Sequence, residues 1–368
     1  MLPTASHYAA CDDAKGVGGV GRLEDEKVAH MNHRRFLATA IILAAMACSA
    51  VTRAHANALS SDVIGMFPQN IGEFAYADLK QARSLSWFPQ LKQQMLPARF
   101  KQFEQFLMAA GVDPNSQVEE LAWATVGPPP ASGSPQQNNA PSPGSEQIVG
   151  VALGSFRPES TESYFNAQKL PAVKVRNFSL YSVGGGSGPA DLFFFFLDSN
   201  TAAFGQRQQL ERLISIRAGE EQGLLSDSKM LPLINEANGS GVVWAVMNGT
   251  YAQLAMQQLA PEAAQFPQAQ QLVSRIRAMS LQIIAGSGVQ ARFQSVCASP
   301  DDANTFAALL QAGLLYKRYQ VGNSNPDLAS LLDSTRIAPA GDRLNVQLSL
   351  TDDQMLSLIR RNTFAVTM

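Results

Sequence analysis

The stretch Asp191–Ile216, DLFFFFLDSNTAAFGQRQQLERLISI, constrains the fold more than any other part of the chain. Its apolar run ends at Asp198-Ser199-Asn200, residue types whose side chains bond to nearby backbone and so mark turns. Thr201–Gly205 follows as a second strand-like piece. The polar segment after it carries Leu210, Leu213 and Ile214 at helical spacing. The unit reads as strand, tight turn, strand, helix. Phe193–Phe196 lacks the alternation of a half-exposed strand, so this strand is expected to be covered on both sides.

The same order of elements recurs along the chain. Gly72–Leu79 reads as a strand, and Lys80–Ala110 as helix broken into pieces by Pro89 and Pro97. Val118–Val126 and Gln147–Phe156 read as paired strands, Glu159–Lys169 as a helix, and Val173–Val183 as one added strand region. Further on, Gly241–Asn248 is a strand followed by helical Tyr251–Met279. Ser280–Ala285 and Val289–Val296 pair about Gly286-Ser287-Gly288. A helix opens at Ser299-Pro300-Asp301-Asp302, with a capping serine, proline at its first position and acids in its first turn. Ile337–Pro339 and Leu344–Leu350 flank Ala340-Gly341-Asp342, and Thr351-Asp352-Asp353-Gln354 forms a capping box.

Strand–helix, then strand–strand–helix twice, therefore describes both Gly72–Ile216 and Gly241–Arg361. The expected architecture is an α+β fold of two similar halves, residues 57–224 and 225–368, each a mostly antiparallel sheet with helices on one face. Residues 128–146, rich in Pro, Ser, Gly, Gln and Asn, hold too little apolar surface to offset ordering and are expected to form a disordered loop.

Residues 1–30 read as an upstream extension, and Met31 opens a secretory leader. Arg34 and Arg35 form its positive part and Phe36–Val51 its apolar part, shorter than the ~20 residues needed to span a bilayer. Ala54-His55-Ala56 is a small-x-small cleavage site that places the mature start at Asn57. Arg34-Arg35-Phe36-Leu37 resembles a twin-arginine signal, but His33 stands where Ser or Thr is usual. Cys48 lacks the Leu expected three residues earlier in a lipoprotein signal, since Ala45 is there. The expected location is periplasmic or extracellular, with no stable membrane span after cleavage.

Cleavage removes much chemistry. All four histidines, His7, His30, His33 and His55, lie in the extension and leader, residues 1–56, as do Cys11 and Cys48. A mature chain holding only Cys297 cannot build a Ser-His-Asp or Cys-His mechanism, a Cys/His zinc site or an intrachain disulfide. Of the 28 Lys plus Arg and 30 Asp plus Glu, 6 and 5 lie in residues 1–56, leaving a formal charge of −3. Nothing in that balance attracts nucleic acid.

The remaining candidates have structural readings. The acidic pairs Glu119-Glu120, Glu220-Glu221, Asp301-Asp302 and Asp352-Asp353 could in principle supply glycosidase carboxylates or a calcium site. The two Asp pairs sit in first turns of helices, where they offset the macrodipole, and no spacing matches a calcium loop. Asp78, Asp198 and Asn248 end strands, positions that line clefts but also favour turns and caps. Cys297 precedes a helix start, which would lower a thiol pKa, though a small apolar role fits the same place. Gly184–Gly188 lacks the Lys-Ser/Thr of a phosphate loop, and Gly239-Ser240-Gly241 is no nucleophile elbow. Asn238-Gly-Ser and Asn248-Gly-Thr match glycosylation sequons but are first of all turn signals. No catalytic, cofactor or metal residue is assigned; the site residues are those of signal cleavage, Ala54, Ala56 and Asn57.

Phe196-Leu-Asp-Ser-Asn-Thr-Ala-Ala-Phe-Gly205, followed by a helix and Asn238-Gly-Ser-Gly-Val-Val-Trp-Ala-Val246, resembles uncharacterised secreted proteins of environmental bacteria, acidobacteria in particular. The resemblance implies export and a shared structural unit and brings no activity. The expected function is a non-enzymatic binding or structural role in the cell envelope. Two alternatives remain open: a carboxylate-based hydrolase of envelope glycans, and a small-molecule binder using the cleft between the halves.

Overall fold

The computed structural model describes residues 58–95, 98–127, 147–183, 186, 188, 191–259, 267–286, 288–322 and 324–361. The leader, the cleavage residues Ala54, Ala56 and Asn57, and the loop 128–146 lie outside these.

A short helix α1 (Ser61–Ile64), capped by the Ser60 side chain, leads into strand β1 (Ile71–Asp78). Helices α2 (Leu79–Ala82), α3 (Phe88–Met95), α4 (Ala98–Ala109) and α5 (Pro114–Gln117) follow, then strands β2 (Val118–Val126) and β3 (Gln147–Gly154). Helix α6 (Pro158–Ala167), strands β4 (Ala172–Val175), β5 (Phe178–Ser182), β6 (Leu192–Phe196) and β7 (Thr201–Gln206), and helix α7 (Arg207–Arg217) complete the first half. Helix α8 (Met230–Ala237) crosses to the second half. There β8 (Val243–Asn248), α9 (Gly249–Leu259), α10 (Pro267–Val273), β9 (Ile276–Gly286), β10 (Gly288–Cys297), α11 (Pro300–Val321), α12 (Pro326–Ser334), β11 (Arg336–Ala340), β12 (Arg343–Leu350) and α13 (Asp352–Arg360) repeat the order.

The twelve strands of the described residues form a single sheet in which every neighbouring pair is antiparallel, ordered β11-β12-β10-β9-β8-β1-β2-β3-β7-β6-β5-β4. Outward from β1 the order is β2-β3-β7-β6, and outward from β8 it is β9-β10-β12-β11, so the halves mirror one another about the β1–β8 pair. The first half adds the β4–β5 hairpin at its edge. The α+β class and the repeated order stand as expected.

The seam is packed on both sides. β1 is buried at all eight positions, and it meets β8 in register with Ala75 opposite Ala245 and Tyr76 opposite Trp244. Phe74 and Tyr76 each stack on Trp244 with ring centroids 5.6 Å apart. The expected cleft between the halves is therefore replaced, among the described residues, by a hydrogen-bonded strand pair under a stack of aromatic rings.

Helices α3, α9, α11 and α13 pack on one face of the sheet through Leu91, Ala252, Phe306 and Met355. On the same side Leu107 of α4 and Phe165 of α6 cover Phe194 and Phe196. Helices α1, α7 and α8 cover the other face, with Leu210, Leu213 and Ile234 against Phe193, Phe195, Trp244 and Val246. The one-sided covering expected for each half thus holds for most of the second. The first half gains a second layer because Phe193–Phe196 is apolar at every position and must be covered twice. Gly150 and Gly205 let these strands close up. The Phe204 ring lies over Gly150, and a Cβ on Gly205 would come within 2.2 Å of the Ile148 carbonyl oxygen.

Three expectations about local elements change. Val173–Val183 is a hairpin, turning at Arg176, whose φ is 54°. Lys80–Ala110 is broken into helical pieces as expected, but Pro89 stands in the first turn of α3 and not at a break, since a first-turn proline forfeits no intrahelical bond, and Pro97 lies outside the described residues. The segment Tyr251–Met279 holds two helices and then the start of β9, whose Ile276, Met279 and Leu281 are core positions.

Candidate functional site

The acidic residues singled out in the sequence are held in structural roles. Asp78 accepts from Gln81 N at 2.7 Å and caps α2. Asp198 accepts from Asn200 N at 2.8 Å within its turn, and Asn248 accepts from Tyr251 N at 3.1 Å at the start of α9. Asp302 meets Ser299 Oγ at 2.7 Å and Arg275 at 3.4 Å, while Thr351 and Gln354 form the expected capping box. Glu119 pairs with Lys80 at 3.0 Å, Glu220 with Arg176, and Glu221 with Arg212. No group of three or more His, Cys, Asp or Glu side chains fit to hold a metal ion is found among the described residues.

Of the paired acids, Glu120 is the one whose carboxyl is shifted from its ordinary value. Tyr76 donates from its hydroxyl to Glu120 Oε2 at 3.0 Å. Burial pushes the Glu120 carboxyl up, and the tyrosine's hydrogen bond opposes that rise. Burial, with the Glu120 charge beside it, pushes the Tyr76 phenol far up, so it remains a donor throughout the ordinary pH range. A carboxyl raised in the folded state favours folding below its ordinary value and loses that advantage as pH rises through the raised one. Glu120→Gln keeps an acceptor for Tyr76. It is expected to raise the thermal midpoint by a few degrees near pH 7 and to leave it unchanged near pH 3.5, as differential scanning calorimetry at the two pH values would show.

Cys297 is fully buried at the end of β10. Burial pushes its thiol up, and the charges of Asp302 and Asp342 add to this. The nearby helix start does not activate it, and the small apolar role is the one the structure supports.

The surface that stands apart is one the sequence reading did not single out. Strands β9, β10, β12 and β11 turn Leu281, Ile283, Phe293, Val346 and Ile337 toward the helices of one face. The alternate residues point to the opposite side, which none of the described helices covers beyond α8 at the β8–β9 border. They line up across the strands in four rows; Ala278, Val296, Arg343 and Ala340 form one that is apolar but for its arginine, and the other three carry most of the polar groups. One runs Gln282, Arg292, Gln347, Arg336; the next runs Ser280, Gln294, Asn345, Ala338; the third runs Ile284, Gln290, Ser349. Not one of these positions is acidic.

One end of this face is neutralised. Arg343 Nη1 donates to Glu236 Oε1 at 2.5 Å and to Gln294 Oε1 at 2.6 Å, and Gln294 Nε2 donates to Asn345 Oδ1 at 3.0 Å. The other arginines are available. Arg292 and Arg336 are exposed, and among the described residues neither has an ion-pair partner. They lie two strands apart with Gln347 between them, which sets their Cα atoms about 9–10 Å from each other. The signal for this surface lay in the alternation of VQARFQSV in β10 and LNVQLSL in β12, polar at every second position, in contrast to the unbroken apolar run of β6. The face is largely polar and locally cationic on a chain of negative net charge. It offers amides that both donate and accept and guanidinium groups that grip carboxylates.

No protein-family model matches the chain, and no curated protein does. Among solved structures the chain is similar to crystal forms I, III and IV of TP0453, with TM-scores of 0.44, 0.45 and 0.46 and identities of 12%, 10% and 12%. Each match covers 82% of this chain and 97–99% of the other. At that degree of similarity they say nothing about the surfaces described above.

Proposed function

We propose that the chain is an exported, non-enzymatic binding protein of the cell envelope, and that its open sheet face holds an acidic, hydroxyl-bearing polymer such as a uronic-acid glycan. The observation that carries this reading is the row Gln282–Arg292–Gln347–Arg336, whose two arginines are exposed and whose amides are half-buried. Two guanidinium groups flank an amide at a spacing suited to successive acidic groups along an extended chain. The neighbouring amides of Gln282 and Gln290 supply partners for hydroxyls. Two available arginines are too few for a nucleic acid, whose binding rests on many phosphate contacts. The leader, with its cleavage residues Ala54, Ala56 and Asn57, supports the envelope location, as does the resemblance to secreted proteins. Among the described residues no helix is long and apolar enough to cross a membrane. Of the hydrolase alternative's candidate carboxylates, Asp302 serves a helix start, Glu119, Glu220 and Glu221 pair with bases, and Glu120 accepts from Tyr76.

The test is binding of the chain, expressed with its own leader, to polygalacturonate, dextran and polyglutamate. Polygalacturonate is expected to bind, more weakly as salt rises, and dextran is not. Arg292→Glu combined with Arg336→Glu should weaken binding by about tenfold or more without lowering the melting temperature, since both side chains face solvent. Undiminished binding by the double variant would contradict the reading. Equal affinity for polyglutamate would remove the hydroxyl recognition from it.

A further inference from the structure

Helix α11 (Pro300–Val321) is apolar on two faces. Its inner face packs on the sheet through Ala303, Phe306 and Ala307. From residue 305 onward the outer face carries Thr305, Ala308, Ala312, Leu315 and Tyr319, all exposed, at alternating spacings of four and three. Leu309 and Tyr316 lie along one edge of this stripe. Leu309 is 47% exposed, Tyr316 65%, Leu315 68% and Tyr319 85%, and the last three are the most exposed large apolar side chains among the described residues. A helix apolar all round belongs in an interior, and exposed stripes of this kind mark contact surfaces.

The stripe is complementary to itself. Two copies placed antiparallel, with the two-fold axis between Gly313 and Leu314, bring the layers of a helix pair into register. Ala312 then faces Leu315 of the second copy, and Ala308 faces Tyr319, so each large side chain meets a small one. Leu309 and Tyr316 meet across one flank. A spacing of three and four residues is what antiparallel helices need to keep such a seam facing inward. We propose that the chain forms a two-fold homodimer through this face of α11.

A single helix pair some 20 Å long falls short of the roughly 800 Å² per partner of a standard interface, so the dimer is a reversible one. α11 covers the side of the sheet opposite the polar rows, so pairing leaves both copies of the open face exposed, pointing away from each other. The dimer does not depend on the glycan reading, but it would make a binder of that kind bivalent.

Analytical ultracentrifugation of the chain, expressed with its own leader, should show a mass that rises toward twice the monomer value with concentration. Leu315→Asp should stay monomeric and melt at the wild-type temperature, because Leu315 faces solvent in the monomer. Oxidation of an equimolar mixture of Ala308→Cys and Tyr319→Cys should give a disulfide between the two variants, identified by peptide mass. Ala308→Cys alone should give no 308–308 link, and Cys297 is buried away from the reaction. A chain monomeric at high concentration with no 308–319 link would overturn the proposal. A monomer that instead sediments with phosphatidylglycerol vesicles, and loses this on Leu315→Asp, would also overturn it and make a lipid surface the occupant.

Discussion

Trp244→Ala is expected to cost about 3–5 kcal/mol and to lower the thermal midpoint by roughly 10 °C or more. Trp244 is fully buried in β8, where it stacks on Phe74 and Tyr76 of β1, and Phe67 packs edge-on to Phe74 at 4.9 Å. Truncation empties the centre of the strand pair that joins the halves, and the rigid pair cannot collapse to fill it. Trp244→Phe should be far milder. It keeps a ring in the stack and removes an indole Nε1 that has no hydrogen-bond acceptor among the described residues. Thermal melts of the two variants would check this, and a mild Trp244→Ala would show that the seam contributes little.

Phe194→Asp is expected to abolish soluble expression. Phe194 lies in β6 between Tyr181 of β5 and Phe204 of β7, and its ring meets that of Phe196 edge-on at 4.9 Å. The site is apolar on every side, with Phe165 and Phe156 completing the layer under α6. An aspartate there loses the buried ring and must also shed or bury a charge, each at a cost of several kcal/mol. Against a total stability of ~5–15 kcal/mol the fold does not survive both losses. Phe194→Leu serves as the control and should express. A well-folded Phe194→Asp would contradict the double covering of β6.

The order of elements was legible because its signals are local. Turn residues at Asp198–Asn200, the capping box at Thr351 and the proline start at Ser299–Pro300 each act within one turn of backbone, and each stands as read. The double covering of Phe193–Phe196 was legible for the same reason. The element at the centre was not. Burial of β1 at all eight positions comes from β2, β8 and two helix layers far away in sequence, and the segment IGEFAYAD carries no mark of that. The stretch taken as the organiser, Asp191–Ile216, lies third and fourth from one edge. The polar face was missed for a related reason. Its alternation is visible within each strand, but the row Gln282–Arg292–Gln347–Arg336 exists only once the register of four strands is known.

The same asymmetry ties the fold to the proposed function. Over β3, β7 and β6 of the first half the sheet lies between two helix layers among the described residues. Over the second half the helices stay on one side, so β9, β10, β12 and β11 present a rigid, pre-formed surface whose arginines need little ordering to bind. Sites built on strands hold their geometry better than sites on loops.

The central structural claim is that the two halves share one core along the β1–β8 pair, and native-state amide hydrogen exchange tests it most directly. The account predicts that the slowest amides lie in Ile71–Asp78, Val118–Val126 and Val243–Asn248, exchanging only through global unfolding. Fast exchange at the β1–β8 pair, with separate slow cores in β6–β7 and in β9–β10, would instead show two independent halves and contradict it.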